Sequence, residues 1–169
     1  MDEFTLKIFV DEIKQQSEYA LTSYNEMIKA LEERNTRAFW YYTSSFLSST
    51  ANVSKLLGGN DRSVSYDERE PVRSFFNLKN DDLTIHTRDV RNAFDHYDDR
   101  IKTWSKQVPN RIYISENIGA KSGVLVEGLS ADHYMRNFEP QTGELSVLDE
   151  SINIYEAARE LEYLYKFEP

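Results

Sequence analysis

The sequence predicts a mainly α-helical protein of the α+β class, an antiparallel helical bundle with a small antiparallel β-meander inserted before the C-terminal helix. Two observations support this fold class. Up to about residue 106, apolar side chains recur every three or four positions, which is the period of an amphipathic helix. Residues 111–148 instead contain short alternating or β-branched runs between turn-forming residues. We expect residues 1–169 to form a single domain, in which 111–148 is an insertion packed on the bundle.

Five segments have the helical period. They are 3–33, 35–57, a shorter helix through 72–78, about 82–106, and 151–167, and residues 60–71 are expected to form a loop. In the second helix, Thr36 is the predicted N-cap and Gly58-Gly59 is the predicted left-handed stop. The last helix is expected to bury a face that includes Leu161 and Tyr165. Two long helices followed by shorter ones are typical of an antiparallel bundle.

The predicted strands lie between the last two of these helices. Their sequences are RIYIS at 111–115, GVLVEGL at 123–129, HYMRNF at 133–138 and ELSVL at 144–148. The residues between the last two runs favour a tight turn, because Pro140 presets the backbone at its start and Gly143 accepts a left-handed conformation at its end. We therefore expect an antiparallel sheet of about three or four strands, which is too small to be stable without the bundle.

The composition argues against several classes of protein. A net charge of −9 argues against a nucleic-acid binder held by bulk electrostatics. Residues 61–111 are neutral, however, with ten Lys/Arg and ten Asp/Glu, so a local site for a phosphodiester is compatible with the acidic total. The chain has no Cys, and its apolar runs predict neither a signal peptide nor a membrane helix. We expect a cytoplasmic protein with no membrane partner.

The segment DVRNAFDHYDDRIKTW, residues 89–104, combines an apolar stripe with an Arg-Asn-x3-His pattern. The stripe consists of Val90, Phe94, Tyr97, Ile101 and Trp104. At about 100° per residue these side chains fall within about 40° of one direction, as in a bundle seam. Arg91, Asn92 and His96 lie on the opposite face, with Arg91 and His96 about 140° apart. A groove between them needs a second wall, which a two-fold partner presenting the same face would supply.

This pattern, on a helix of a bundle of this size, resembles the motif of the HEPN superfamily, in which an Arg, commonly followed by Asn, Asp or His, precedes a His by a few residues. The resemblance covers roughly residues 1–106 and 151–167, and the predicted sheet lies outside it. Many HEPN members are metal-independent endoribonucleases that act as dimers with facing motif helices. The resemblance therefore implies a homodimeric endoribonuclease that acts on RNA and needs no metal or other cofactor.

The resemblance gives each motif residue a chemical role. His96 would be the general acid/base on the attacking 2′-hydroxyl or the leaving oxygen, since imidazole titrates near neutral pH. Arg91 would hold the phosphate with its guanidinium fork, and Asn92 would orient one of these groups. Asp95 and Asp99 are candidate supporting residues, whose charge favours the imidazolium form of His96 but repels a phosphate.

A second function is compatible with the same residues. A charged outer helix face explains Arg91 and His96 without catalysis, and other HEPN members are inert RNA-binding or interaction modules. The protein would then be an RNA-binding module or an interaction module, and in the second case the predicted sheet and the helix with the aromatic run at residues 39–42 would bind a partner protein.

The remaining histidines are weaker candidates. His86 would extend the groove if the helix of the motif begins early enough, and His133 is expected to be a loop or surface residue near the start of a strand. The spacing of the histidines and acids predicts no metal site. The chain also lacks a basic recognition helix, so we expect no recognition of DNA sequence.

Overall fold

The predicted fold class is confirmed. The computed structural model of the protein describes residues 1–59, 66–78, 83–86, 97–121, 129–148 and 150–169. The α-helices in these ranges are α1 (Glu3–Glu32), α2 (Thr36–Leu56), α3 (Glu70–Phe75), α4 (Tyr97–Gln107) and α5 (Ile154–Lys166). The strands are β1 (Asn117–Ile118), β2 (Arg136–Glu139), β3 (Glu144–Val147) and β4 (Glu150–Asn153). Helices thus dominate, and a small sheet precedes the last helix.

Two compact units divide the chain. The helical unit consists of Met1–Arg88 and Glu156–Pro169, and the sheet unit consists of Asp89–Tyr155. The sheet unit is wider than the predicted insertion at 111–148 because it also contains α4. A single domain over 1–169, with the sheet packed on the bundle, stays a prediction. Within the described ranges, every helix is too short or too polar to cross a lipid bilayer.

The α1–α2 hairpin forms most of the helical unit. Its helices run antiparallel, because the connection between them is the short segment Glu33–Asn35. One buried side chain recurs every seven residues on each helix, which is the spacing of a seam between two packed helices. These residues, all 0% exposed, are Ile13, Ala20 and Met27 in α1 and Phe39, Phe46 and Val53 in α2.

Two positions after the last residue of α1, α2 and α3, the chain has a residue with a left-handed backbone. These residues are Arg34 (φ 56°), Gly58 (φ 99°) and Asn77 (φ 54°). In each case two backbone N–H groups fold back onto carbonyls of the last turn, which is the Schellman motif. At the end of α1 these bonds, donated by Arg34 and Asn35, are 3.1 and 2.8 Å long. Gly58 confirms the predicted stop of α2.

Asn35 also begins the next helix. Its side-chain oxygen accepts the N–H of Ala38 at 3.2 Å, and Thr36 is the first residue of α2. The predicted N-cap at Thr36 is therefore wrong by one position. Both residue types suit an N-cap, so the tight connection to α1 decides which of them takes it.

A buried arginine joins the end of α2 to α3. Arg73 is 7% exposed, and its Nη1 donates to the carbonyls of Leu57 at 2.9 Å and Tyr66 at 2.7 Å. The guanidinium carbon lies 3.5 Å from the centroid of the Tyr66 ring. The carbonyl end of α2 carries partial negative charge, so it offsets the buried cation together with the ring. Gly58 suits this corner because a Cβ there would come within 3.1 Å of the Arg73 Nη1 atom.

The end of α5 covers the helical unit. Leu161 is fully buried, as predicted, whereas Tyr165 is 39% exposed, so its predicted burial is wrong. The contacts of this last turn are made by its neighbours instead. The Tyr163 hydroxyl donates to the carbonyl of Phe76 at 2.8 Å, and the Phe167 ring lies 5.5 Å from the Phe76 ring.

The sheet runs in the order β1-β2-β3-β4. The pairs β2–β3 and β3–β4 are antiparallel, as predicted, while β1 is parallel to β2, so the sheet is mixed. Register sets an apolar row across the strands, formed by Ile118, Phe138, Leu145 and Ile152. The adjacent row is polar and consists of Asn117, Asn137, Ser146 and Ser151. Successive residues of a strand point to opposite faces, so the apolar row and the polar row lie on opposite faces of the sheet.

Strand positions differ from the prediction in several places. Strand β1 lies outside the predicted runs, and β2 begins at Arg136 and not at residue 133. Of the predicted run at 111–115, Ile114 alone pairs, in a parallel bridge with Tyr134. The closing helix predicted from residue 151 begins at Ile154, because Asn153 accepts the N–H of Tyr155 at 3.1 Å and caps the helix start. The residues before Asn153 form β4 instead. The predicted strand at 123–129 lies, except for its last residue, outside the described residues.

The turn between β2 and β3 confirms the prediction from Pro140 and Gly143. Gly143 has a φ of 76°, and its N–H donates to the carbonyl of Glu139 at 2.8 Å. The Tyr155 ring covers this turn, and its hydroxyl donates to the carbonyl of Pro140 at 2.7 Å. Burial raises the pKa of Tyr155, which keeps the hydroxyl protonated and able to donate.

Replacing Arg34 with Gly is expected to stabilise the protein by about 0.5–1 kcal/mol, because Gly avoids most of the cost of a left-handed L residue. Urea denaturation measures the free energy of unfolding. Arg37→Gly, an exposed arginine in the first turn of α2, is the matched control and is expected to destabilise the protein by about 0.5–1 kcal/mol. Equal losses in both variants would contradict the left-handed end of α1.

Replacing Gly143 with Ala is expected to destabilise the protein by about 2–4 kcal/mol, because the new Cβ overlaps the Tyr155 ring and the backbone φ is positive. Gly143→Ala in a Tyr155→Ala background is the control, because it keeps the φ of 76° and removes the ring that the added Cβ overlaps. The difference between the costs of Gly143→Ala in the two backgrounds, measured by urea denaturation, isolates the overlap with the ring. If Gly143→Ala costs the same in both backgrounds, Tyr155 does not cover the turn.

Candidate functional site

The predicted motif lies largely outside the described residues. Arg91, Asn92, Asp95 and His96 fall within 87–96, so their placement stays a prediction. Asp99, the remaining acid near the motif, lies in the first turn of α4 and is exposed.

His86 is not placed as the sequence predicts. Thr84–His86 forms one turn of 3-10 helix, so the α-helix predicted from about residue 82 is wrong for these residues. The His86 side chain is 5% exposed, and its Nδ1 lies 3.0 Å from the Oγ atom of the buried Ser54 in α2. It is therefore a buried residue of the helical unit tied to α2, and a role beside His96 stays a prediction.

A carboxylate from α5 holds the 84–86 turn. Glu160 accepts the N–H of Thr84 at 2.7 Å and the N–H of Ile85 at 3.0 Å. The first N–H groups of a helical turn have no partner within the turn, so an acceptor from elsewhere satisfies them. This contact fixes the backbone shortly before the range that contains the motif. Sequence reasoning missed it because the partners are about 75 positions apart.

His133 is also buried, so its predicted surface position is wrong. It is 1% exposed, and its Nδ1 accepts the N–H of Ser130 at 2.8 Å. The turn that contains His133 therefore supplies the hydrogen-bond partner of its Nδ1 atom. In the part of the chain that the structure describes, no group of three His, Cys, Asp or Glu is arranged to hold a metal ion.

An open cleft of about 890 Å³ lies in the sheet unit, at the C-terminal end of α4. Its apolar lining comes from Ile101, Trp104, Val108 and Met135. Lys106 and Arg111 add two cations, and none of the described lining residues is acidic. This volume falls within the range of sites that bind small molecules, about 300–1,000 Å³.

An aromatic pair forms one side of the cleft. The Trp104 and Tyr113 rings meet edge to face, with centroids 6.0 Å apart and an interplanar angle of 89°. Trp104 is 9% exposed, as its position in the apolar stripe predicts, whereas Tyr113 is 58% exposed. Tyr113 therefore presents an accessible ring whose angle is held by a buried neighbour, and a flat aromatic ligand can stack on such a ring.

The cations of the cleft are accessible. Lys106 and Arg111 are exposed, and no carboxylate of the described residues forms an ion pair with either. Two acids of the same unit are paired elsewhere, Glu150 with Arg100 at 2.6 Å and Glu116 with Arg136 at 3.0 Å. The cleft thus keeps a local positive charge on an acidic protein.

Backbone strain coincides with this cleft. Asn110 and Arg111 follow one another with φ values of 56° and 54°. A left-handed backbone costs an L residue about 1–2 kcal/mol, and such strain is concentrated at functional sites. The sequence indicates this cleft only by the grouping of two aromatic and two basic residues in one short segment, namely Trp104, Lys106, Arg111 and Tyr113.

Comparison with known proteins gives no family assignment. No family model matches the chain, and no curated protein and no solved structure is found to be similar to it. The HEPN resemblance therefore rests on the Arg91, Asn92 and His96 pattern and its helical context, and membership of that superfamily stays a prediction.

Proposed function

We propose that the protein is a metal-independent endoribonuclease of the HEPN type, with His96 as general acid/base, Arg91 on the phosphate and Asn92 orienting one of them. The observation that supports an RNA substrate is the cleft of the sheet unit, which combines an exposed Tyr113 ring with two accessible cations. Helix α4, which supplies one wall of the cleft, directly follows His96 in the chain.

The proposed chemistry needs no group beyond RNA and protein side chains. The 2′-hydroxyl of the RNA loses its proton to an imidazole and attacks the adjacent phosphorus, and the 5′-oxygen leaves with a proton from an imidazolium. The products are a 2′,3′-cyclic phosphate and a 5′-hydroxyl. The guanidinium of Arg91 neutralises the charge that builds up on the phosphate oxygens. A homodimer with facing motif helices would supply one His96 as base and the other as acid.

The proposal places this enzyme in the cytoplasm, because a chain without Cys suits a reducing compartment. Asp95 and Asp99 are assigned supporting roles, in orienting His96 and favouring its protonated form.

A non-catalytic interaction module is the second candidate function, and exposed apolar side chains of the helical unit favour it. Phe4 and Ile8, one turn apart in α1, are 73% and 52% exposed, and Tyr41, near the other end of the α1–α2 hairpin, is 68% exposed. Neighbouring exposed apolar side chains such as Phe4 and Ile8 are typical of protein–protein contacts. In this alternative the net charge of −9 opposes RNA binding, and Arg91 and His96 belong to a solvated helix face.

Cleavage of a mixed-sequence single-stranded RNA in EDTA tests the proposed enzyme. The unmodified protein is expected to release fragments with 2′,3′-cyclic phosphate ends. His96→Ala is expected to lower the rate about 100-fold or more, since general acid/base catalysis contributes about 10²–10⁴-fold. Arg91→Lys, which keeps the charge but loses the fork, is expected to fall between the unmodified protein and Arg91→Ala.

Arg159→Ala is the matched control, because Arg159 is an exposed arginine of α5 in the helical unit and has no proposed role. Circular dichroism shows whether each variant is folded, and sedimentation shows whether it forms a dimer. If the folded unmodified protein leaves RNA intact, or if His96→Ala cleaves at the same rate, the endoribonuclease proposal is rejected.

A further inference from the structure

The cleft at the end of α4 has the composition of a site for one nucleotide. Tyr113 and Trp104 provide an aromatic surface, and Lys106 and Arg111 provide two cations. A nucleotide joins the two matching chemistries, a flat aromatic base and an anionic phosphate. We propose that this cleft binds one nucleotide, with its base against Tyr113 and its phosphate at Lys106 and Arg111.

The position of the base follows from the aromatic pair. The Trp104 ring is buried and stands at 89° to the Tyr113 ring, so it holds Tyr113 at a defined angle while Tyr113 stays 58% exposed. Every nucleobase has a π face, and stacking on such a ring is therefore tolerant of base identity. We expect a site with little preference among the four bases.

The position of the phosphate follows from the charges. Arg111 offers a planar fork that suits two phosphate oxygens, and Lys106 adds a point charge at the end of α4. Glu116 and Glu150 of this unit are paired with arginines of their own. A divalent cation fits this lining poorly, because it requires several oxygen ligands and none of the described lining residues is acidic.

Two sources can supply this ligand chemistry, a free nucleotide and a nucleotide within a single RNA strand. The second source rests on the proposed function, whereas the nucleotide site itself does not depend on catalysis. Duplex RNA is a poor source because its base faces are already stacked. Binding is therefore best measured on a protein that cannot cleave, with free and strand-bound nucleotides compared.

The experiment uses the full chain carrying His96→Ala in EDTA, so that RNA stays intact. Calorimetry measures the affinity for uridine monophosphate and for inorganic phosphate, and fluorescence anisotropy measures the affinity for a labelled oligouridine strand and for the same strand in a duplex. The expected order is tight binding of the strand, weaker binding of uridine monophosphate, and little binding of phosphate or duplex.

Variants of the cleft test each half of the site. Tyr113→Ser is expected to lower the affinity for the strand about 10-fold or more, and Tyr113→Phe, which keeps the ring, about twofold or less. Arg111→Gln and Lys106→Gln are each expected to lower the slope of log affinity against log salt by about 0.7. Lys102→Gln, an exposed lysine one turn earlier on α4, and Tyr19→Ser, an exposed tyrosine of α1 with no proposed role, are the matched controls and are expected to bind as the parent does.

Each outcome decides between the proposals. If Tyr113→Ser binds as tightly as Tyr19→Ser, or if phosphate binds as tightly as uridine monophosphate, the nucleotide site is overturned even where the unmodified protein cleaves RNA. If uridine monophosphate binds through the cleft and the strand does not, the site stands and RNA is rejected as its source. If the strand binds through the cleft while the unmodified protein does not cleave it, the site stands and the endoribonuclease proposal fails.

Discussion

A closed circuit of side-chain hydrogen bonds organises the helical unit. Helix α2 is joined to α3 by Arg73, α3 to α5 by Tyr163, α5 to the 84–86 turn by Glu160, and that turn back to α2 by His86. The apolar seam between α1 and α2 supplies much of the buried area, but apolar burial does not depend on the orientation of individual groups. The hydrogen bonds of the circuit do depend on orientation, and losing one partner leaves a desolvated polar group at a cost of about 1–3 kcal/mol.

Cationic side chains have different surroundings in the two units. The helical unit buries a cation, Arg73, against carbonyls and a ring. The sheet unit pairs two of its arginines with Glu116 and Glu150 and leaves Lys106 and Arg111 accessible. Because Coulomb attraction to a ligand depends on local rather than total charge, a net charge of −9 does not prevent anion binding at this cleft. The cations of the cleft are not those that form the ion pairs with Glu116 and Glu150, so an anion-binding site is physically possible on a chain with a negative net charge.

Periodicity predicted the long helices and turn chemistry predicted the β2–β3 connection, since both signals are local. The failures come from contacts between distant residues. Asn35 displaced Thr36 as N-cap because it also closes the end of α1, and His86 left the predicted helix for a turn that Glu160 holds. The parallel pairing of β1 has no local signal either. The sequence did not predict the cleft, because the spacing of Trp104 fits the apolar stripe of its helix. Its partner ring, Tyr113, lies in a run that the sequence predicts to be a strand.

The helical unit is discontinuous in the chain, because Glu156–Pro169 belongs to it and Asp89–Tyr155 forms the sheet unit. Lys14 illustrates the distance involved, because it donates to the carbonyl of Phe167, 153 positions later, at 2.6 Å. On a ribosome that adds roughly 5–20 residues per second, the first three helices emerge several seconds before the helix that covers them. The whole sheet unit is made in that interval. The α1–α2 hairpin, whose contacts are local and whose turn is short, is then the part that can keep its apolar seam closed while the last helix is being synthesised.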